Sequence, residues 1–336
     1  MDNSKNLNII ALDAMGGDHG PVVTVPAAVE ATKKKDLAVI LVGEKQLIEQ
    51  ELSKFSPVET SLLSVVPAQG VVTEEESPAL AYRTKPRASV YVAAGIVKAD
   101  KASGFVSMGS TGASIAASTV LYGTMDEIER GAIGGPVIGF SPRTVIVDLG
   151  TNVDTRPEQL LDFGALGSIM SRVMYKEKNP KIALLSVGKE KGKGSSLVKE
   201  TSVLLENSGL NFVGNIEPDD LLKNEFEVVL CDGFVGNIIL KLTESLGKII
   251  CAQINEILGD TDISKTLTTS IFEKTNTLES FGGGPLLGVK GVAIVGHGAS
   301  GTKAIVNAIN TANYVIDVDF IEEQINELLR VRKRIT

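Results

Sequence analysis

Tryptophan is missing from this 336-residue chain, and aromatic residues amount to only 4% of it. So few rings cannot build the stacking platform that single-stranded nucleic acid needs. A surplus of positive charge is missing as well: 33 Lys and Arg face 41 Asp and Glu, for a net charge of −8. That balance argues against coating a polyanion, and no nucleic-acid partner is expected. Cysteine is nearly absent, with Cys231 and Cys251 alone. Two thiols exclude a disulfide framework and suit a reducing, cytoplasmic setting. No apolar run reaches the length of a bilayer span. Residues 1–8 are short and polar, so a signal peptide is not expected. Histidine is scarce too, with only His19 and His297.

What remains is an ordinary globular composition, 43% hydrophobic and 22% charged. The chain is long enough for one large α/β domain or two smaller ones. Short apolar runs alternate with amphipathic helical stretches almost from end to end. Strands are expected at residues 8–12, 38–42, 61–66, 104–107, 144–148, 181–186, 227–231 and 292–295. Several are continuous Val/Ile/Leu runs, the pattern of strands buried on both faces. The expected fold is therefore a three-layer α/β/α arrangement around a mostly parallel sheet. No fixed-period repeat, low-complexity tract or Pro/Ser-rich linker interrupts it. Residues 1–336 read as one α/β domain, with two lobes as the alternative and a helical excursion near residues 237–281.

Five of these strands lead into glycine-bearing polar turns. They are Met108-Gly-Ser-Thr-Gly-Ala113, Leu149-Gly-Thr-Asn-Val-Asp154, residues 187–195, Asp232-Gly-Phe-Val-Gly-Asn237 and Gly296-His-Gly-Ala-Ser-Gly301. In open parallel sheets the carboxyl ends of strands share an edge, and ligands bind in the crevice there. Turns scattered through the sequence are thus expected to gather along one rim. A sixth candidate precedes them: residues 9–21, where an apolar run ends on Asp13 and Asp18 and His19 follow two glycines. This is a buried strand delivering a carboxylate, a turn and an acid–imidazole pair to one spot.

Each motif has a functional and a plainer reading. Gly109-Ser110-Thr111-Gly112 precedes a small-residue helix, so Ser110 and Thr111 either cap that helix or, with its N–H groups, bind an anion. Next to the other loops, phosphate binding is favoured. Residues 188–195 lack Walker A spacing, but Lys189, Lys191 and Lys193 could form a cationic flap, with Lys193 the preferred ligand. The plainer reading is a solvated turn. Asn237 and Lys241 stand one helical turn apart, suited to steadying a phosphate or a developing oxyanion. The alternative for Asn237 is a helix N-cap. Gly296-x-Gly298-x-x-Gly301 followed by Asp317 mimics a dinucleotide fingerprint. Too little chain remains after Asp317 for the rest of a mononucleotide-binding half. Both histidines lie in glycine-rich turns, where imidazole could shuttle a proton. Basic clusters at residues 83–87 and 330–334 are solvated surface or a docking site for an acidic partner. The apolar stripe of residues 237–258 suits core or dimer packing, with membrane-surface contact as the alternative.

The opening residues 9–21 closely resemble those of the bacterial phosphate acyltransferases of phospholipid synthesis. The likeness runs through nearly the whole chain. Val106-Ser-Met-Gly-Ser-Thr-Gly-Ala113 is similar to the family's Val-Ser-Ala-Gly-Asn-Thr-Gly-Ala, with Ser110 in place of Asn. Val147-Asp-Leu-Gly-Thr-Asn-Val-Asp154 resembles Leu-Asp-x-Gly-Ala-Asn-x-Asp. Cys231-Asp-Gly-Phe-Val-Gly-Asn237 with Lys241, Gly283-Gly-Pro-Leu-Leu-Gly288 and His297-Gly-Ala-Ser300 are very specific matches. Gly134-Gly-Pro-Val137 stands where the family has Arg-Pro-Ala, and Lys85-Pro-Arg-Ala-Ser89 where it has Lys-x-Ser-Ser. No role is carried over from the absent Arg or Ser, and the chain reads as a divergent member.

The resemblance implies a fold similar to phosphotransacetylase and the isocitrate-type dehydrogenases, a homodimer, and peripheral attachment to the membrane. It implies transfer of a fatty acyl group from acyl-(acyl carrier protein) to orthophosphate, with no cofactor and no metal. Ser110, Thr111, Gly112 and Lys193 would hold phosphate, with Asn152 and Asp232 among the substrate ligands. Asn237 and Lys241 would steady the carbonyl oxygen, and His297 would protonate the departing thiolate or orient the phosphate. Asp18 and His19 would brace the site. Asp13, Asp148 and Asp232, as strand-end carboxylates, keep a metal in view. The alternatives are a decarboxylating NAD-dependent dehydrogenase on the same scaffold and a non-catalytic acyl-carrier binding protein.

Overall fold

The computed structural model describes residues 7–55 and 62–335. They form two compact units. The first opens with β1 (Asn8–Asp13), α1 (Pro21–Thr32), β2 (Leu37–Gly43), α2 (Lys45–Leu52) and β3 (Leu63–Pro67). It continues through α3 (Pro78–Thr84), α4 (Ser89–Lys98), β4 (Gly104–Ser107) and α5 (Thr111–Leu121). The second unit, from Asp126 to Ser280, holds β5 (Ala132–Pro136), β6 (Val145–Val147), α6 (Pro157–Tyr175), β7 (Ile182–Leu185), α7 (Ser196–Asn207) and β8 (Phe212–Ile216). After β9 (Val228–Leu230) it adds α8 (Gly233–Leu258), α9 (Asp262–Thr275) and α10 (Thr277–Phe281). The chain then returns to the first unit for β10 (Gly284–Leu287), β11 (Val292–Val295) and α11 (Thr302–Asp317), and ends in the second with most of α12 (Phe320–Ile335).

In the first unit the strand order is β3-β2-β1-β4-β11-β10, parallel except for the last pair. In the second, β5-β6-β9-β7-β8 is parallel except for β5 on β6. The central strands are the expected apolar runs. Ile10, Ala11 and Leu12 of β1, Phe105 and Val106 of β4, and all three residues of β9 are fully buried. Helices pack on these strands, as continuous apolar strands require. The expected α/β class is the observed one.

The expected strand at residues 61–66 is β3, and Ser61 lies outside the described residues. Three strands escaped the reading. Two of them, β5 and β10, carry Gly-Gly-Pro and Gly-Pro, residues that disfavour strand interiors. They survive because each is a short antiparallel addition beside a well-formed apolar strand, and tertiary burial overrides propensity. The third, β8, is a half-buried edge next to β7. The stretch from Gly233 to Phe281 holds the three helices α8, α9 and α10.

The basic stretch at residues 330–334 is less of a docking patch than its composition suggests. Arg330 and Arg172 both grip Glu327, whose side chain is only 5% exposed. Arg332 binds Asp162 and Glu127. These guanidiniums fasten α12 to the second unit. Glu327→Ala would leave two partly buried cations without their acid and is expected to lower stability by about 2 kcal/mol, below the range for a fully buried pair because both arginines are a third exposed. Urea denaturation checks this, and an unchanged midpoint would rule it out.

Candidate active site

Three loops leave the same edge of the first unit because β1, β4 and β11 run parallel as neighbours. Asp13 closes β1 and is fully buried. Its Oδ2 accepts a hydrogen bond from Ser107 Oγ at 2.8 Å, and its Oδ1 accepts from the Met15 N–H at 3.3 Å. Ser107 Oγ in turn accepts from the Gly109 N–H at 3.1 Å. Burial pushes the Asp13 carboxyl up, against the lowering effect of these donors. The loop after β1 also meets the loop after β11, since the Asp18 N–H donates to the Gly298 carbonyl at 2.8 Å. Gly17 makes that junction possible. It sits at φ +85°, and a Cβ there would lie 2.9 Å from the Gly298 oxygen.

Ser110 and Thr111 thus stand beside the loop carrying His297 and the loop carrying Asp18. Ser110 caps α5, its Oγ accepting from the Ala113 N–H at 3.3 Å. Glu74 also reaches this helix start, where it accepts from the Thr111 N–H at 2.9 Å and from Ser110 Oγ at 3.4 Å. Gly112 faces Pro78. His297 is half-buried, and its Nδ1 accepts from the Ala299 N–H at 3.3 Å. Asp18 and His19 are both exposed, and among the described residues no hydrogen bond or ion pair joins them. The expected acid–imidazole pair is therefore two separate groups, because Asp18 turns its carboxylate toward Gly298.

The second unit repeats the device. Asp148 follows β6, is fully buried, and accepts from the N–H groups of Gly150, Thr151 and Asn152 at 3.2, 3.1 and 2.7 Å. The Asn152 side chain donates to Asp148 Oδ2 at 2.9 Å and to the Gly131 carbonyl at 3.0 Å. Burial raises the Asp148 carboxyl, and the gathered donors hold it down. The first turn of α8 lies on this loop. Asp232 is its N-cap, accepting from the Val235 N–H at 2.8 Å, and the Gly233 N–H donates to the Asn152 carbonyl. The capping role considered for Asn237 therefore belongs to Asp232. Asn237 stands a full turn inside α8, with its side chain against Gly150. Gly236 allows this close approach, since a Cβ there would overlap the Asp148 carbonyl. One turn further on, Lys241 pairs with the mostly buried Glu244 at 3.0 Å.

Of the three flap lysines, Lys189 pairs with Asp220 at 2.8 Å and Lys191 with Glu206 at 2.7 Å. Lys193 is exposed and makes no ion pair among the described residues. Among those residues no three His, Cys, Asp or Glu side chains cluster as metal ligands. Sequence reasoning did not assign Ser107 or Glu74 to the site. The signal for Ser107 was its place at the end of a buried strand, and nothing local marks Glu74.

Over 93% of its length the chain shares its fold with a phosphotransacetylase from Streptococcus pyogenes, covering 95% of that chain at TM-score 0.62 and 17% identity. The two units thus define a phosphotransacetylase-like α/β scaffold. The family model described as "Fatty acid synthesis protein" matches residues 9–323. A phosphate acyltransferase of Nitratidesulfovibrio vulgaris is 39% identical over 96% of this chain and 94% of its own. One of Aquifex aeolicus is 38% identical over 95% and 96%. The chain belongs to this phosphate acyltransferase family of fatty acid synthesis proteins, and it is an acyltransferase.

Asp220 generates a test of the Lys189 loop. Hydrogen bonds from Lys189 and Lys223 hold its carboxyl well below the ordinary 3.8. A lowered folded-state value means the stabilisation is present above pH 3.8 and lost as pH falls below it. Asp220→Asn is therefore expected to be less stable than the parent at pH 7, with the gap beginning to narrow as pH falls below 3.8. Parallel denaturation curves across that range decide it, and a gap that stays constant refutes the assignment.

Proposed function

We propose that the chain transfers a fatty acyl group from an acyl-(acyl carrier protein) thioester to orthophosphate, giving acyl phosphate for phospholipid synthesis. The observation that carries the reading is the amino terminus of α5. There a hydroxyl and a backbone N–H already hold a carboxylate, and the helix dipole favours negative charge. Ser110, Thr111 and Gly112 of the first unit are assigned to phosphate, and the exposed Lys193 of the second unit is assigned to an anionic substrate group. Orthophosphate is itself nucleophilic, so no covalent enzyme intermediate is needed. A phosphate oxygen bonds to the thioester carbonyl carbon, the C–S bond breaks, and the thiolate leaves. The proton that hydrogen phosphate gives up on acylation ends on the departing thiolate, and His297 is assigned to carry it across or to orient the phosphate. Within the second unit, Asn237 and Lys241 are assigned to steadying an oxygen that gains charge. Asp18 braces the loops through its N–H to the Gly298 carbonyl, His19 is assigned beside it as an exposed imidazole, and Asn152 and Asp232 shape the turn before α8. The relatives do not favour the dehydrogenase alternative.

The assay is phosphate-dependent release of free thiol from acyl-(acyl carrier protein), with acyl phosphate recovered in equal amount. Binding of the carrier without such release would leave only the non-catalytic reading. His297→Ala is expected to lower kcat by about 10- to 100-fold, modest because a thiolate leaves readily. Near-full turnover would remove His297 from the mechanism.

Among the described residues no helix is long and apolar enough to cross a membrane. Ile238, Leu242, Leu246 and Ile249 are exposed on α8 at helical spacing, and Ile263 and Leu267 are exposed on α9. An apolar stripe of that extent supports a homodimer through these helices. Leu242→Asp with Leu246→Asp is expected to convert a dimer to a monomer in analytical ultracentrifugation. A double variant that stays dimeric but loses binding to phospholipid vesicles would assign the stripe to the membrane instead.

A further inference from the structure

We propose that Glu74 is a resident carboxylate that orthophosphate must displace, so that Glu74 sets how strongly and how selectively α5 captures an anion. The inference rests on assigning Ser110 and Thr111 to phosphate. Both oxygens of Glu74 are spent on the same two groups, at 2.9 Å from the Thr111 nitrogen and 3.4 Å from Ser110 Oγ. Two anions cannot share one N–H and one hydroxyl at this spacing, so binding at the helix start is an exchange.

The segment between β3 and α3 that carries Glu74 is built to let go of it. One end is pinned by backbone hydrogen bonds from Ala68 to Gly43, Gln69 to Arg87 and Ser89 to Gly70. The other is held by Glu76, which accepts from the Thr73 N–H and pairs with Lys85, whose ammonium also donates to the Val71 carbonyl. None of these bonds involves the Glu74 side chain. Rotating that one exposed side chain therefore frees Ser110 and Thr111 while the segment keeps its shape. The released carboxylate returns to water at little cost.

The exchange also discriminates. A carboxylate offers one charge and two oxygens, whereas orthophosphate near neutral pH offers up to two charges and four oxygens. Chloride and simple carboxylates gain nothing by replacing Glu74, while a tetrahedral dianion does. Ordinary helix capping by Glu74 makes the opposite prediction: its removal would weaken α5 and leave phosphate binding unchanged or poorer.

The test is steady-state acyl transfer with phosphate varied, for the parent, Glu74→Ala, Glu74→Gln and Ser110→Ala, with thermal melts of each. Glu74→Ala is expected to lower the phosphate KM by about 3- to 10-fold, since the free pocket no longer has to be vacated. Its kcat should shift by less, and sulfate should inhibit at correspondingly lower concentration. Glu74→Gln, which keeps the shape without the charge, should fall between and carries the test if the alanine variant does not fold. An unchanged or raised phosphate KM in a folded Glu74 variant overturns the inference. Ser110→Ala separates the two layers: a raised KM there upholds the phosphate assignment, whereas an unchanged KM sinks that assignment and the inference with it.

Discussion

Both units depend on the same physical arrangement: an aspartate buried at the end of a central strand, whose oxygens collect the hydrogen-bond donors of the loop that follows. Asp13 organises its neighbours through Ser107 and the Met15 N–H, and Asp148 takes three successive N–H groups and an amide. A tight loop beside a sheet core would otherwise strand its N–H groups away from water. Burial alone would drive each carboxyl toward its neutral form, and the donors oppose that drive. Each acid thus fixes a loop because each loop makes its acid tolerable. The glycines at 17 and 236 let neighbouring backbone close over the result.

The helices that begin at these loops illustrate a division of labour. A side chain that caps a helix spends its acceptor on the first turn. Asp232 does this for α8 and thereby leaves Asn237, a turn deeper, with its amide available beside Gly150. Ser110 does it for α5 and still has a proton to donate, because a hydroxyl both accepts and donates. Serine at this position therefore serves the helix and an anion at once. The family's usual Asn would present an amide instead of a hydroxyl there.

Much of the fold could be read from the chain because the central strands are uninterrupted apolar runs, as in Ile9-Ile10-Ala11-Leu12 and Val292-Ala293-Ile294-Val295. Two of the three strands that escaped, β5 and β10, are held by neighbours rather than by their own Gly and Pro residues. At the site, glycine-bearing turns after strands were visible as a pattern, since their spacing to the preceding apolar run is local. Pairings were not. Asp18 and His19 are adjacent in sequence yet unjoined, while Glu74 and Thr111, 37 residues apart, are bonded. Proximity in a loop says little about which way a side chain turns, and a lone glutamate in an acidic run carries no mark of its contact. At 330–334 the acids that meet Arg332, Glu127 and Asp162, lie on distant stretches of the chain, whereas Glu327 precedes Arg330 by one turn of α12.

The order in which the two units take up the chain has a consequence for biogenesis. The first unit needs β11 beside β4 and α11 against α1, yet those pieces come after the whole span from Asp126 to Ser280. A ribosome therefore delivers the inner strands of the second unit before the first can close its sheet. Until Val295 emerges, one edge of β4 on the nascent chain lacks its partner, an open template of the kind that invites aggregation. Slow translation through the α8–α10 helices would lengthen that exposed interval, and chaperone engagement of the amino-terminal strands would shorten its hazards.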